Sequence, residues 1–125
     1  MQIEKAIKVY LDALEKGSYG NMMRLFAKDA VILSPLYGKI KAVDFYRELF
    51  EDTSKSKITL LNIFNSDNKF IGAGHFRYDW VLKDSTPASF ECVDVFQFAD
   101  DGKIKQLTII YDTSKIRSSF ERMKK

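Results

Sequence analysis

The stretch "ASFECVDVFQFADDGKIKQLTIIYD", residues 88–112, decides the fold. Its first part alternates, with Phe90, Cys92, Asp94, Phe96 and Phe98 on one side and Ser89, Glu91, Val93, Val95 and Gln97 on the other. Period two over ten residues specifies a strand. "ADDG" is a hairpin turn, and "KIKQLTIIYD" is the returning strand. The three phenylalanines mark the interior face. Asp94 is thereby expected as a carboxyl group among aromatic rings, where an ionised form is costly without a partner.

Upstream the pattern stays extended. "SKITLLNIFN" and "KFIGAGHFRYDWVL" read as strands, separated by "SDN" and followed by the turn "KDSTP". In the longer one Gly74, Phe76, Tyr78 and Trp80 share a face, and Ala73, His75, Arg77 and Asp79 share the other. The aromatic set is expected inward and His75 outward; a register shift of one residue would exchange them. Gly72 and Gly74 fit a place where crowding at a bend must be relieved.

The N-terminal half has helical period instead. Ile3, Ala6, Ile7, Tyr10 and Leu14 fall on one helical face, and Gly17 is the stop signal. Ser18 is positioned to cap a short second helix reaching about Phe26, with Tyr19, Met22 and Phe26 on its apolar side. "DAVIL" is extended and is closed by the turn from Pro35 to Gly38. A third helix, about 41–50, buries Ala42, Phe45, Tyr46, Leu49 and Phe50. From Ser114 a short tail helix places Ile116, Phe120 and Met123 on one side, suited to cross a pocket mouth, meet a partner or fray. Helices followed by a run of strands predict an α+β fold: three N-terminal helices on a strongly curved antiparallel sheet.

Length and composition agree with a single domain over residues 1–125. The sequence is 46% hydrophobic and 14% aromatic, enough for a core or pocket lined with rings. Net charge is +3, with acidic and basic residues interspersed, so neither a nucleic-acid groove nor a charged membrane surface is expected. No apolar run approaches the roughly 20 residues that span a bilayer. One cysteine and one histidine exclude an intrachain disulfide and argue against a structural zinc site. The N-terminus lacks signal-peptide character, which places the expectation in a reducing compartment, most simply the cytoplasm.

"YLDALEKGSYGNMMRLFAKDAVILSPLYG" and "VDVFQFADDGKIKQLTIIYD", with the element order joining them, resemble the ketosteroid isomerase, SnoaL-like and NTF2-like group. The resemblance implies a cone: a bent sheet wrapped around helices, with a pocket at the open end and frequent dimers through the outer sheet face. It also implies roles. Tyr10 and Asp94 match the family's pair of donors to a carbonyl or enolate oxygen. The family's general base, an Asp before the turn proline, is here Ser34, which cannot take up a proton near neutral pH without its own base. The epoxide-opening branch needs an inward arginine between two aspartates, and none can be placed.

Around Tyr10 and Asp94 as catalytic candidates, Leu14, Ser34, Tyr37 and Phe76 are expected to contact a ligand. Tyr78, Trp80, Phe96 and Tyr111 complete that set. The bland alternative is that Asp94 merely hydrogen-bonds Tyr10 or backbone and holds the pocket floor. Two functions follow: a pocket for a small, largely apolar molecule with weak isomerase- or cyclase-type activity, or a non-enzymatic dimeric sensing or interaction module. The apolar outer positions Val93, Val95 and Ile110 point to a homodimer. No motif calls for a metal or organic cofactor.

Overall fold

A computed structural model describes residues 2–125. Helix α1 (Ile3–Lys16) buries Ile3, Ile7, Tyr10, Leu11, Ala13 and Leu14, the face the period specifies. It ends at Gly17, whose left-handed φ of 63° lets its N–H and that of Ser18 reach back to the last carbonyls of the helix. A five-residue helix, α2 (Tyr19–Met23), follows; Ser18 precedes it but makes no side-chain cap. Strands β1 (Phe26–Ser34) and β2 (Gly38–Lys41) form a hairpin leading into α3 (Ala42–Glu51). Four long strands come next: β3 (Thr53–Asn65), β4 (Ile71–Leu82), β5 (Pro87–Phe98) and β6 (Ile104–Ile110). Helix α4 (Arg117–Lys124) closes the chain.

The six strands form one sheet in the order β2-β1-β6-β5-β4-β3. The curved α+β cone expected from the sequence is the observed architecture, with two corrections. First, the sheet is mixed: β1 and β6 run parallel, with Ile32 opposite Leu107, and every other pair is antiparallel. Alternation within a strand reports which face is buried and carries no information on which distant strand lies beside it. Second, Phe26 belongs to β1 and not to the second helix. It stands opposite Ile104, anchored by the Ile104 N–H to the Leu25 carbonyl. Its buried aromatic ring suits the start of a strand as well as the end of a helix, so the period could not decide.

Register in the central pair is continuous from Ile71↔Gln97 to Val81↔Pro87. The even-numbered residues of β4 point inward, so His75 lies on the outer face. There it bonds Glu91 at 2.9 Å and Asn62 at 3.2 Å.

Gly72 and Gly74 are where α1 crosses the concave face. A Cβ at residue 72 would stand 2.5 Å from Cγ2 of Ile3, and one at residue 74 would stand 3.0 Å from Cγ2 of Ile7. The missing side chains let two helix isoleucines seat against the strand. Between α1, α3 and the sheet lie the fully buried rings of Tyr10, Tyr46, Phe76, Trp80 and Phe96. Edge strand β3 is tied to α1 by the Glu15 carboxylate, which accepts the backbone N–H of Ile58 at 2.7 Å. Among the described residues no helix is long and apolar enough to cross a membrane.

Candidate functional site

The concave face holds a small cavity of about 40 Å3, partly open to solvent past the half-buried Tyr37, Phe90 and Tyr111. Its floor and walls come from α1 (Tyr10, Leu14), the β1–β2 turn (Ser34, Tyr37), and β4 to β6 (Phe76, Tyr78, Trp80, Cys92, Asp94), with Tyr111 just beyond. Nine of the ten residues expected from sequence therefore share one cavity wall. Phe96 does not: it lies behind Tyr10, ring centroids 5.0 Å apart, as packing beneath the site. Phe45, Leu49, Phe90, Cys92 and Ile109 also line the cavity. The buried faces of their elements foretold burial for most of them, but not which buried residues border empty space. A larger hollow of about 840 Å3 over the solvent side of α1, lined by Glu4, Lys5, Lys8 and Asp12, is an open surface groove and holds no buried polar group.

Asp94 is 2% exposed. Burial pushes its carboxyl up to about 7, opposed only by the Cys92 S–H, which donates to Oδ1 at 3.4 Å. Near neutral pH the group divides between a carboxylic acid, able to donate, and a carboxylate, able to accept. Burial also drives the Cys92 thiol well up, with the neighbouring Asp94 adding to the effect, so it is not a nucleophile while it stays buried from water.

Tyr10 does not hydrogen-bond Asp94. Its hydroxyl meets that of Tyr46 at 2.6 Å, with both rings buried and both phenols held well above their ordinary range by desolvation. Either hydroxyl can be the donor. Tyr46 has no other hydrogen-bond partner and does not border the cavity, whereas Tyr10 does. If Tyr46 donates, the Tyr10 O–H is free for a group in the cavity; if Tyr10 donates, its oxygen has no proton to offer there.

Ser34 is a turn residue. Its Oγ accepts the N–H groups of Leu36 at 3.3 Å and Tyr37 at 3.1 Å. A hydroxyl has two acceptor sites and one donor, so only the O–H remains for the cavity. Three of the other polar tips are tied off. Tyr78 pairs with Ser56 at 3.1 Å, Trp80 Nε1 donates to Thr53 Oγ1 at 2.7 Å, and Tyr37 donates to Asp52 at 2.7 Å. The cavity thus offers hydroxyls from Tyr10, Ser34 and Tyr111, and one titrating carboxyl.

Asp52 went unnoticed in the sequence. It is 1% exposed, and its carboxylate is compensated by Lys124 at 2.9 Å and Lys83 at 3.5 Å. It follows directly after α3, and its cationic partners lie far away in sequence, so no local pattern marks it. Arg77 sits on the outer face against Asp79 at 3.1 Å and is not an inward arginine. Among the described residues no three histidine, cysteine or acidic side chains gather as metal ligands.

A family profile described as "SnoaL-like domain" matches residues 7–107. A search of curated proteins found no match. Solved structures share the fold at low identity. An NTF2-like protein of unknown function from Exiguobacterium sp. 255-15 is 15% identical, with a TM-score of 0.73 over 87% of this chain and 99% of its own. The epoxide hydrolase/cyclase-like enzyme SalBIII, of pyran ring formation in the polyether salinomycin, is 17% identical, with a TM-score of 0.78 over 89% and 91%. A protein of ketosteroid isomerase-like fold from Catenulispora acidiphila, in complex with trimethylamine, is 11% identical, with a TM-score of 0.77 over 93% and 92%. These likenesses concern the fold alone.

Proposed function

The chain belongs to the SnoaL-like domain family, and from that premise we propose that it binds a small, largely apolar molecule carrying a carbonyl-type oxygen. Tyr10 and protonated Asp94 grip that oxygen as hydrogen-bond donors, and any isomerase- or cyclase-type turnover is weak because Ser34 stands where the family keeps its base. The observation that carries the reading is the convergence on one ring-lined cavity of the Tyr10 phenol and of a carboxyl that burial pushes up to about 7. Donors fixed in a mostly buried site stabilise developing negative charge on oxygen better than water does. A carboxyl that burial lifts to about 7 keeps its proton in part of the population at neutral pH and can donate it in a hydrogen bond to a ligand oxygen.

The test is titration with 2-naphthol, a fluorescent phenol that mimics an enolate oxygen. Wild-type protein should bind it, and Tyr10→Phe and Asp94→Asn should each weaken binding about tenfold or more. Binding unaffected by either change would remove the oxygen grip. A screen of ketones and epoxides then asks for turnover that Asp94→Asn abolishes.

One observation favours a non-enzymatic module instead: among the described lining residues Asp94 is the only carboxylate and no histidine joins it. Turnover absent in the screen while naphthol binding persists would select that reading. In either case a second copy is proposed over the outer sheet face. Ile110, 54% exposed, stands directly opposite Val93 there, and a two-fold contact would cover both.

A further inference from the structure

We propose that Tyr37 and α4 form a latched gate over the cavity, with Lys124 on Asp52 as the latch. The proposal rests on the ligand-binding reading above, but its decisive test does not.

A cavity of about 40 Å3 has room for about one water, whereas ligand sites usually offer roughly 300–1,000 Å3. A molecule with a carbon skeleton enters only if a wall moves. The Tyr37 wall is built to do so. It lies in the turn between β1 and the four-residue edge strand β2, next to Gly38 with its φ of +77°. Its ring borders the cavity, and its hydroxyl reaches away to Asp52. Phe120 of α4 packs edge-on against that ring at 5.1 Å and also lies against Trp80.

The hydrogen bonds that join α4 to the body converge on the same place. Lys124 donates to Asp52 and to Glu48, each at 2.9 Å, and Arg117 donates to the Pro35 carbonyl at the base of the Tyr37 turn. Burial disfavours the Lys124 charge, but these two carboxylates outweigh it and raise its pKa. An eight-residue helix is not stable alone, so α4 persists only while docked. The body is prepared for its departure. Lys83 stands 3.5 Å from the other oxygen of Asp52, so releasing Lys124 does not leave a bare buried carboxylate. With two cations on one aspartate and only one of them on α4, Asp52 stays paired whether α4 is docked or released.

Cys92 supplies the assay. It is the only thiol in the chain, it lines the cavity, and it is 3% exposed. The rate at which methyl methanethiosulfonate modifies it reports opening. Lys124→Met and Phe120→Ala should each speed modification about tenfold or more. The faster reaction should depend only weakly on low urea, because a gate exposes little surface. Lys83→Met also strips a cation from Asp52 but leaves α4 latched, so it should not speed modification comparably. Unchanged rates in both α4 variants, equal acceleration by Lys83→Met, or acceleration with the steep urea dependence of global unfolding would each overturn the gate. Naphthol binding reports on the other claim: faster thiol modification with no naphthol binding in any variant supports the gate and sinks the ligand reading.

Discussion

Replacing Asp94 with asparagine should make the protein more stable at alkaline pH while weakening its grip on a ligand. The carboxyl is buried without a cation beside it, and burial lifts it from 3.8 to about 7. Between those values the native state holds a proton that the unfolded chain has released. Stability therefore falls as pH rises through this window, because its slope follows the protons bound in the unfolded state minus those bound in the native state. Below about pH 4 both states are protonated and the effect vanishes; above about pH 7 the loss is complete. The interval from 3.8 to about 7 is about three pH units, or about 4 kcal/mol at about 1.4 kcal/mol per unit. Asparagine has nearly the same shape and no charge, though its buried amide costs about 1–3 kcal/mol where it lacks partners. The measurement is a set of urea unfolding curves for both proteins from about pH 4 to about pH 8. Carboxylates other than Asp94 cancel in the difference. Wild type should lose about 4 kcal/mol more than Asp94→Asn across that range, with the variant the more stable of the two at the alkaline end. Parallel profiles, or a wild type that gains on the variant as pH rises, would refute the picture of an uncompensated buried acid.

The two buried phenols make an ordered prediction. Tyr10→Phe strands the Tyr46 proton and should cost about 1–3 kcal/mol, while Tyr46→Phe and the double variant should cost less, read from urea midpoints. Gly72→Ala forces a methyl to within 2.5 Å of Ile3 and should cost about 1–3 kcal/mol, part of which Ile3→Ala restores in a double-mutant cycle. Strict additivity of those two changes would contradict the close crossing of α1. Ile110→Lys, on the outer face opposite Val93, should raise the monomer fraction in sedimentation velocity, and should leave the unfolding midpoint unchanged only at concentrations where both proteins are monomeric. Identical sedimentation of the two proteins would remove the proposed two-fold contact.

Much of this was legible in the sequence wherever one residue's neighbours determine its side. Alternation in residues 89–98 placed Asp94 inward, and helical period placed Tyr10 on the buried face of α1, where both are found. The aromatic set of β4 likewise placed His75 outside. What periodicity cannot report is pairing over long distances in the chain. The parallel neighbour of β1, the partner of the Tyr10 hydroxyl and the two lysines on Asp52 all depend on residues brought together only by folding. Phe96 shows a further limit. It shares the inward face with Asp94, but depth beneath Tyr10 decides between lining and packing, and that depth is set by the tilt of a helix on a curved sheet. Ser34 was legible as a departure from the base of the isomerases. That its oxygen is consumed by the turn itself emerges only from the geometry.

The carboxylate of Glu15 on the Ile58 amide has a consequence outside the cavity. A long strand at the margin of a sheet is a template onto which another chain can dock and grow, the first step toward fibrils. With a helix side chain occupying one of its rungs, and Lys55 and Lys57 close by, that margin repels recruits. The same helix that shapes the interior also guards the molecule against runaway polymerisation.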